Sequence, residues 1–189
     1  MRVLIDENSG FCFGVVRAIG EAEEALKRTS QVYCLGDIVH NRVEVQRLEA
    51  LGLSTIAHAD MEGIAGRTML IRAHGEPPTT YAEAERLGIE VIDATCPVVA
   101  RLQRKLKDVY AEMKSVSGRV LLLGKPGHAE VVGLIGQVGD DVSVVEKIED
   151  IEDLDLDCPV HILSQTTQSI DLFNRLCEEV KRRAGEHRV

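Results

Sequence analysis

The feature that most restricts this chain is an alternation of short apolar runs with segments of helical period, sustained nearly from end to end. Runs of strand length lie near 2–6, 32–36, 68–72, 90–93, 119–123, 142–145 and 160–164. Between them, apolar residues recur every three or four positions. Val15, Ala18, Ile19, Ala22, Ala25 and Leu26 make one stripe, with Arg17, Glu21, Glu24 and Arg28 opposite, which predicts a helix with one face on a sheet. Further helices are expected at about 41–51, 78–87, 97–115, 128–137 and 169–184, the third of these opening on Pro97, a residue tolerated at a first helical position. Strands joined through helices are mostly parallel, because a parallel neighbour needs a crossover and the crossover is usually a helix. The expected fold class is therefore α/β, two βαβ-type domains with mainly parallel sheets. No Pro-, Gly- or Ser-rich linker divides them, and the boundary is placed at Cys96, giving a first α/β domain over 1–95 and a second over 96–189. The acidic segment at 146–157 reads as a solvated connection.

Almost every unusual polar group follows an expected strand and precedes an expected helix: SGFCFG, GDIVHN, RAHGEPP, DATCPVV, GKPGHAE and SQTTQS. Open α/β sheets bind ligands beyond the carboxyl ends of their strands, where helix N-termini offer free N–H groups to anions. The expectation is that these loops line one shared hollow. Cys12 sits among glycines that permit close approach of a bulky ligand, and Cys96 opens a helix whose dipole favours an anionic sulfur. Each reads either as a metal ligand or as a buried thiol. Cys34 lies inside a strand run, Cys158 precedes Pro159 at a strand start and Cys177 shares a helical face with Phe173 and Val180, and all three read as structural. His40, His74 and His128 repeat the loop placement and suit phosphate oxygens or proton transfer, with helix capping as the alternative. Glu130 lies in the first turn after His128, where only burial would fit it for a proton relay. Thr166 and Thr167 can bridge a substrate alcohol and a carboxylate, or cap the last helix. The glycines of GKPGHAE and GLIGQVG match no nucleotide-binding pattern.

A net charge of −9, with no Trp and few other aromatics, argues against nucleic-acid binding. Five cysteines without a CxxC pair make a poor disulfide framework, and there is neither a signal-peptide start nor an apolar run of membrane length. A cytoplasmic location and no membrane partner are expected.

Taken in order from Ile5 to Ser169, SGFCFGV, GDIVHN, IRAHGEPP, DATCPVV, GKPGHAEVVGLIGQ and SQTTQS closely resemble the 4-hydroxy-3-methylbut-2-enyl diphosphate reductase family. The resemblance implies an oxidoreductase of the methylerythritol phosphate route to isoprenoids. It implies a 4Fe-4S cluster on three cysteines, with an open fourth iron for the hydroxyl of (E)-4-hydroxy-3-methylbut-2-enyl diphosphate. Reductive loss of water would give isopentenyl and dimethylallyl diphosphate, with ferredoxin or flavodoxin as electron donor. Motif by motif, Cys12 and Cys96 correspond to metal ligands, and His40, His74, His128, Thr166 and Thr167 to substrate-binding residues. Glu130 corresponds to the proton donor, acting through a hydroxyl relay that includes Thr167. The family's third cysteine and a later diphosphate loop belong to a third α/β domain, and the resemblance implies a C-terminally truncated member with that domain missing. The alternative expectation is a non-catalytic truncated α/β module or diphosphate-binding protein unable to retain the cluster. A mononuclear zinc site on Cys12, Cys96 and a histidine is a third.

Overall fold

The computed structural model describes Leu4 and residues 10–184, so the strand expected over 2–6 lies, Leu4 apart, outside the described residues. Two compact units divide the chain: Met1–Ala73 with Glu83–Pro97, and His74–Ala82 with Val98–Val189.

The first unit holds α1 (Phe13–Arg28), β1 (Val32–Leu35), α2 (Arg42–Ala50), β2 (Leu53–Ile56), β3 (Thr68–Ile71), the end of α3 (Pro78–Arg86) and β4 (Glu90–Asp93), with a 3-10 turn at His58–Ile64. Its strands are parallel in the order β2-β1-β3-β4. The α1 stripe buries Ala18, Ile19, Ala22 and Ala25 as the spacing predicts, against Val32, Cys34, Leu48 and Leu70. Strand β2 was not expected. Among the described residues it is an edge strand in which Leu53 alone is buried, so LSTI shows no apolar run to the eye.

Cys34 is fully buried, and that burial pushes its thiol up to about 12. A group whose protonated form is favoured in the fold loses stability for it as pH rises from its ordinary value of 9.0 toward that figure. Native protein treated with iodoacetamide at pH 8 should therefore be alkylated at exposed Cys12 and not at Cys34 until denaturant is added. Equal labelling of the two, read by peptide mapping, would contradict the burial.

The second unit contains most of α4 (Pro97–Ser115), then β5 (Arg119–Leu123), α5 (Ala129–Ile135), β6 (Ser143–Val145), β7 (Val160–Ser164) and α6 (Ile170–Ala184). The parallel order is β6-β5-β7. Central β5 is apolar on both faces because both are covered: Leu121 and Leu123 pack with Leu176 and Val180 of α6, Val120 and Leu122 with Leu106 and Val109 of α4. Cys158 and Cys177 pack against the first of these clusters.

The acidic segment at 146–157 departs from expectation. Ile151, the last residue of a 3-10 turn at Ile148–Ile151, and Leu156 are buried, and Leu154 packs beside them. The carboxylates stay outside; Asp150 accepts from the backbone N–H groups of Glu146 at 2.9 Å and Lys147 at 3.0 Å, which hold its carboxyl below the usual range. Burying an isoleucine contributes about 1.5–3 kcal/mol, enough to override a charged composition. Among the described residues no helix is long and apolar enough to cross a membrane.

Candidate functional site

Each sheet has a point at which its strand order reverses. In the first, the chain leaves β1 toward β2 on one side, then returns past β1 to β3 and continues to β4. Right-handed crossovers put the elements following β1 and β3 on opposite faces, opening a crevice between the two loops. Those loops are GDIVHN and the start of RAHGEPP. In the second sheet the same reversal falls between β5 and β7, whose loops are GKPGH and QTTQS.

In the first unit, Cys12 is the N-cap residue of α1 and is exposed, its carbonyl accepting from Val16 N–H at 3.0 Å. Cys96 precedes Pro97, the first residue of α4, and its N–H donates to Ala73 at 2.9 Å. The two turns are held together. Arg17 Nη1 donates to the Thr95 carbonyl at 2.9 Å, and a Cβ on Gly14 would come within 2.8 Å of Cys96 Sγ. The glycine of SGFCFG thus leaves room for the second cysteine. In GDIVHN, Ile38 and Val39 are buried in the core and Asn41 caps α2 by accepting from Glu44 N–H at 3.2 Å. Between these anchors His40 is exposed.

In the second unit, His128 is the N-cap residue of α5, and its Nδ1 accepts from Glu130 N–H at 3.2 Å. With Nδ1 accepting, Nε2 is the ring nitrogen left to donate. His74 packs edge-on to that ring, centroids 5.2 Å apart. It reaches α5 because the helix is stripped of side chains where residues 74–77 approach. A Cβ on Gly133 would lie 3.1 Å from the Gly75 carbonyl, and one on Gly136 would lie 2.5 Å from Pro77 Cβ. Gln137 Nε2 fastens the segment by donating to the Glu76 carbonyl at 3.1 Å. The glycines of GLIGQVG, read in the sequence only as matching no nucleotide-binding pattern, are what permits this approach.

Glu130 is 1% exposed, and both its oxygens accept from one residue: Oε1 from Thr166 N–H at 2.7 Å and Oε2 from Thr166 Oγ1 at 2.8 Å. The hydroxyl on the carboxylate is therefore that of Thr166, whereas the relay expected from sequence included Thr167. Thr167 Oγ1 instead accepts from Gln165 Nε2 at 2.9 Å. Buried Gln165, unremarked in the sequence, also accepts from Lys125 N–H at 3.1 Å and so ties the β5 loop to the β7 loop across the switch point. Among the described residues no group of three or more His, Cys, Asp or Glu side chains is arranged to hold a metal ion.

Fold and site together define an α/β protein that presents thiols at the strand ends of one parallel sheet, and imidazoles with a buried carboxylate at those of another. A family described as LytB protein matches residues 3–189, and the chain belongs to that family. It is 52% identical over 186 residues to 4-hydroxy-3-methylbut-2-enyl diphosphate reductase of Parabacteroides distasonis, covering 98% of this chain and 64% of the relative. The enzyme of the same name from Chloroherpeton thalassium is 42% identical, covering 99% of this chain and 60% of that one. Among solved structures, (E)-4-hydroxy-3-methyl-but-2-enyl diphosphate reductase, the terminal enzyme of the non-mevalonate pathway, matches with a TM-score of 0.82 and 38% identity, over 95% of this chain and 63% of that chain. The Plasmodium falciparum reductase matches with a TM-score of 0.85 and 29% identity, over 94% and 55%. The chain thus spans somewhat under two thirds of the length of these relatives.

Proposed function

We propose that this chain provides cluster-holding and diphosphate-binding parts of a 4-hydroxy-3-methylbut-2-enyl diphosphate reductase, an oxidoreductase of isoprenoid biosynthesis. The observation that carries this reading is the Glu130–Thr166 pair, a buried carboxylate with both oxygens held by one threonine beside two imidazoles. Removing a carboxylate from water costs several kcal/mol, and a scaffold alone has no need of one there.

Cys12 and Cys96 are the residues that would hold a 4Fe-4S cluster. Their chemistry fits: both sulfurs lie at the starts of helices, and Gly14 keeps the space beside Cys96 clear. Such a cluster, when bound, supplies electrons received from a ferredoxin or flavodoxin and an open iron for the substrate hydroxyl. His40, His74 and His128 are the diphosphate-binding residues in this reading, His128 donating through Nε2, and Thr167, held by Gln165, is a further substrate-binding residue. Glu130 holds the proton at Oε2; Thr166 Oγ1 accepts it and passes its own proton toward the departing hydroxyl, which leaves as water.

The test is anaerobic iron–sulfur reconstitution, with iron and sulfide counting, on the 189-residue chain and on the same residues joined to the remainder of the Parabacteroides distasonis relative. The joined protein should retain the cluster and reduce the diphosphate. If it binds diphosphate but holds no cluster, the chain is a diphosphate-binding module instead; binding of neither ends the reading. Within the joined protein, Gly14→Ala should leave stability within about 1 kcal/mol, since alanine favours a helix by that much. Iron retention should nevertheless fall, because the new methyl displaces Cys96 Sγ. Unaltered iron content would separate Cys96 from the cluster.

A further inference from the structure

The carboxyl edge of the first sheet carries a second cavity, of about 510 Å³, that the reductase reading leaves unused. Gly36, Asp37, Thr55, Ile56, His58 and Arg72 line it, at the ends of β1, β2 and β3. None of the residues assigned to cluster, diphosphate or proton transfer is among them.

The Arg72 guanidinium lies directly over Gly36, where a Cβ would come within 2.6 Å of Cζ and where φ is +73°. The positive φ favours glycine there, and a Cβ would push the guanidinium aside. Arg72 Nη1 donates to the Asp37 carbonyl at 3.2 Å, but Nε is buried without a hydrogen-bond partner. Among the described residues the guanidinium enters no ion pair, although the Asp37 carboxylate lines the same cavity. A buried N–H without an acceptor costs about 1–3 kcal/mol, and a site with no use for a cation would avoid that cost by carrying an apolar side chain. A guanidinium fork is matched in shape and charge by a phosphate or carboxylate, which accepts two parallel N–H bonds. The place is also where parallel sheets bind ligands.

We propose that this cavity is a binding site for a small oxyanion, the phosphoryl or carboxylate group of a metabolite, held by Arg72. Asp37 belongs to the same loop as His40, so an occupant also fixes the backbone that carries His40.

The test is amide NMR of the 189-residue chain titrated with inorganic phosphate and, separately, with acetate. Saturable shifts are expected at Gly36, Asp37, Thr55 and Ile56, lost in Arg72→Gln. Response to phosphate alone assigns a phosphoryl ligand; an equal response to acetate assigns a carboxylate. Asp37→Asn removes the one carboxylate that lines the cavity among the described residues and should tighten binding about fivefold. That variant decides the matter if Arg72→Gln fails to fold. No saturable shift with either anion, shifts indifferent to Arg72→Gln, or affinity unchanged or weaker in Asp37→Asn would each overturn the proposal.

Discussion

In the protein joined to the remainder of the Parabacteroides distasonis relative, Glu130→Gln should lower turnover by about 10²- to 10⁴-fold, the usual contribution of a positioned proton donor, while hardly affecting stability. The geometry supports both halves of this expectation. Glutamine has the size of glutamate and can keep both contacts: its carbonyl oxygen accepts from Thr166 N–H, and its amide donates to Thr166 Oγ1, which turns from donor to acceptor. What it lacks is a transferable proton at the position of Oε2. Iron content and melting temperature should match the parent, and single-turnover reduction of the diphosphate should be slow. Thr166→Val should reproduce the kinetic defect, because it removes the hydroxyl on Glu130, whereas Thr167→Val should act chiefly on substrate affinity. Parental turnover in Glu130→Gln would remove this carboxylate from the proton path.

Gly136→Ala should lower stability by about 1–3 kcal/mol, the cost of forcing a methyl into a packed interface. For a chain of this size that is a fall in melting temperature of roughly 2–4 °C per kcal/mol. The obstacle is rigid, a proline ring rather than a flexible side-chain end, with Pro77 Cβ 2.5 Å and Cγ 3.2 Å from the new atom. Gly133, also hard against residues 74 and 75, leaves no room to slide. Residues 74–77 must therefore lift from α5, carrying His74 away from His128. Misplacing a binding group by an ångström can cost up to about 10²-fold, so affinity for inorganic diphosphate should fall as well, by up to about that factor. Pro77→Gly in the same chain removes the colliding ring and should recover much of both losses. Additive effects of the two substitutions, measured by calorimetry, would show that this contact does not position His74.

The sequence by itself determined the α/β class, the parallel direction of the strands and the loops in which the polar groups collect. Each of these rests on local regularities: a stripe of apolar side chains every three or four residues, an apolar run buried on both faces, a glycine or proline where an element turns. It did not reveal β2, whose neighbours across the sheet supply what LSTI lacks, or that Ile151 and Leu156 would pull an acidic segment into the core. Nor did it show that residues 74–82 join the second unit, for that depends on Gly133 and Gly136 some sixty positions away. The choice of Thr166 over Thr167 as the partner of Glu130, 36 residues distant, belongs with these. Adjacent threonines are equivalent in composition, and only the packing of one strand end against a helix start decides which hydroxyl meets the carboxylate.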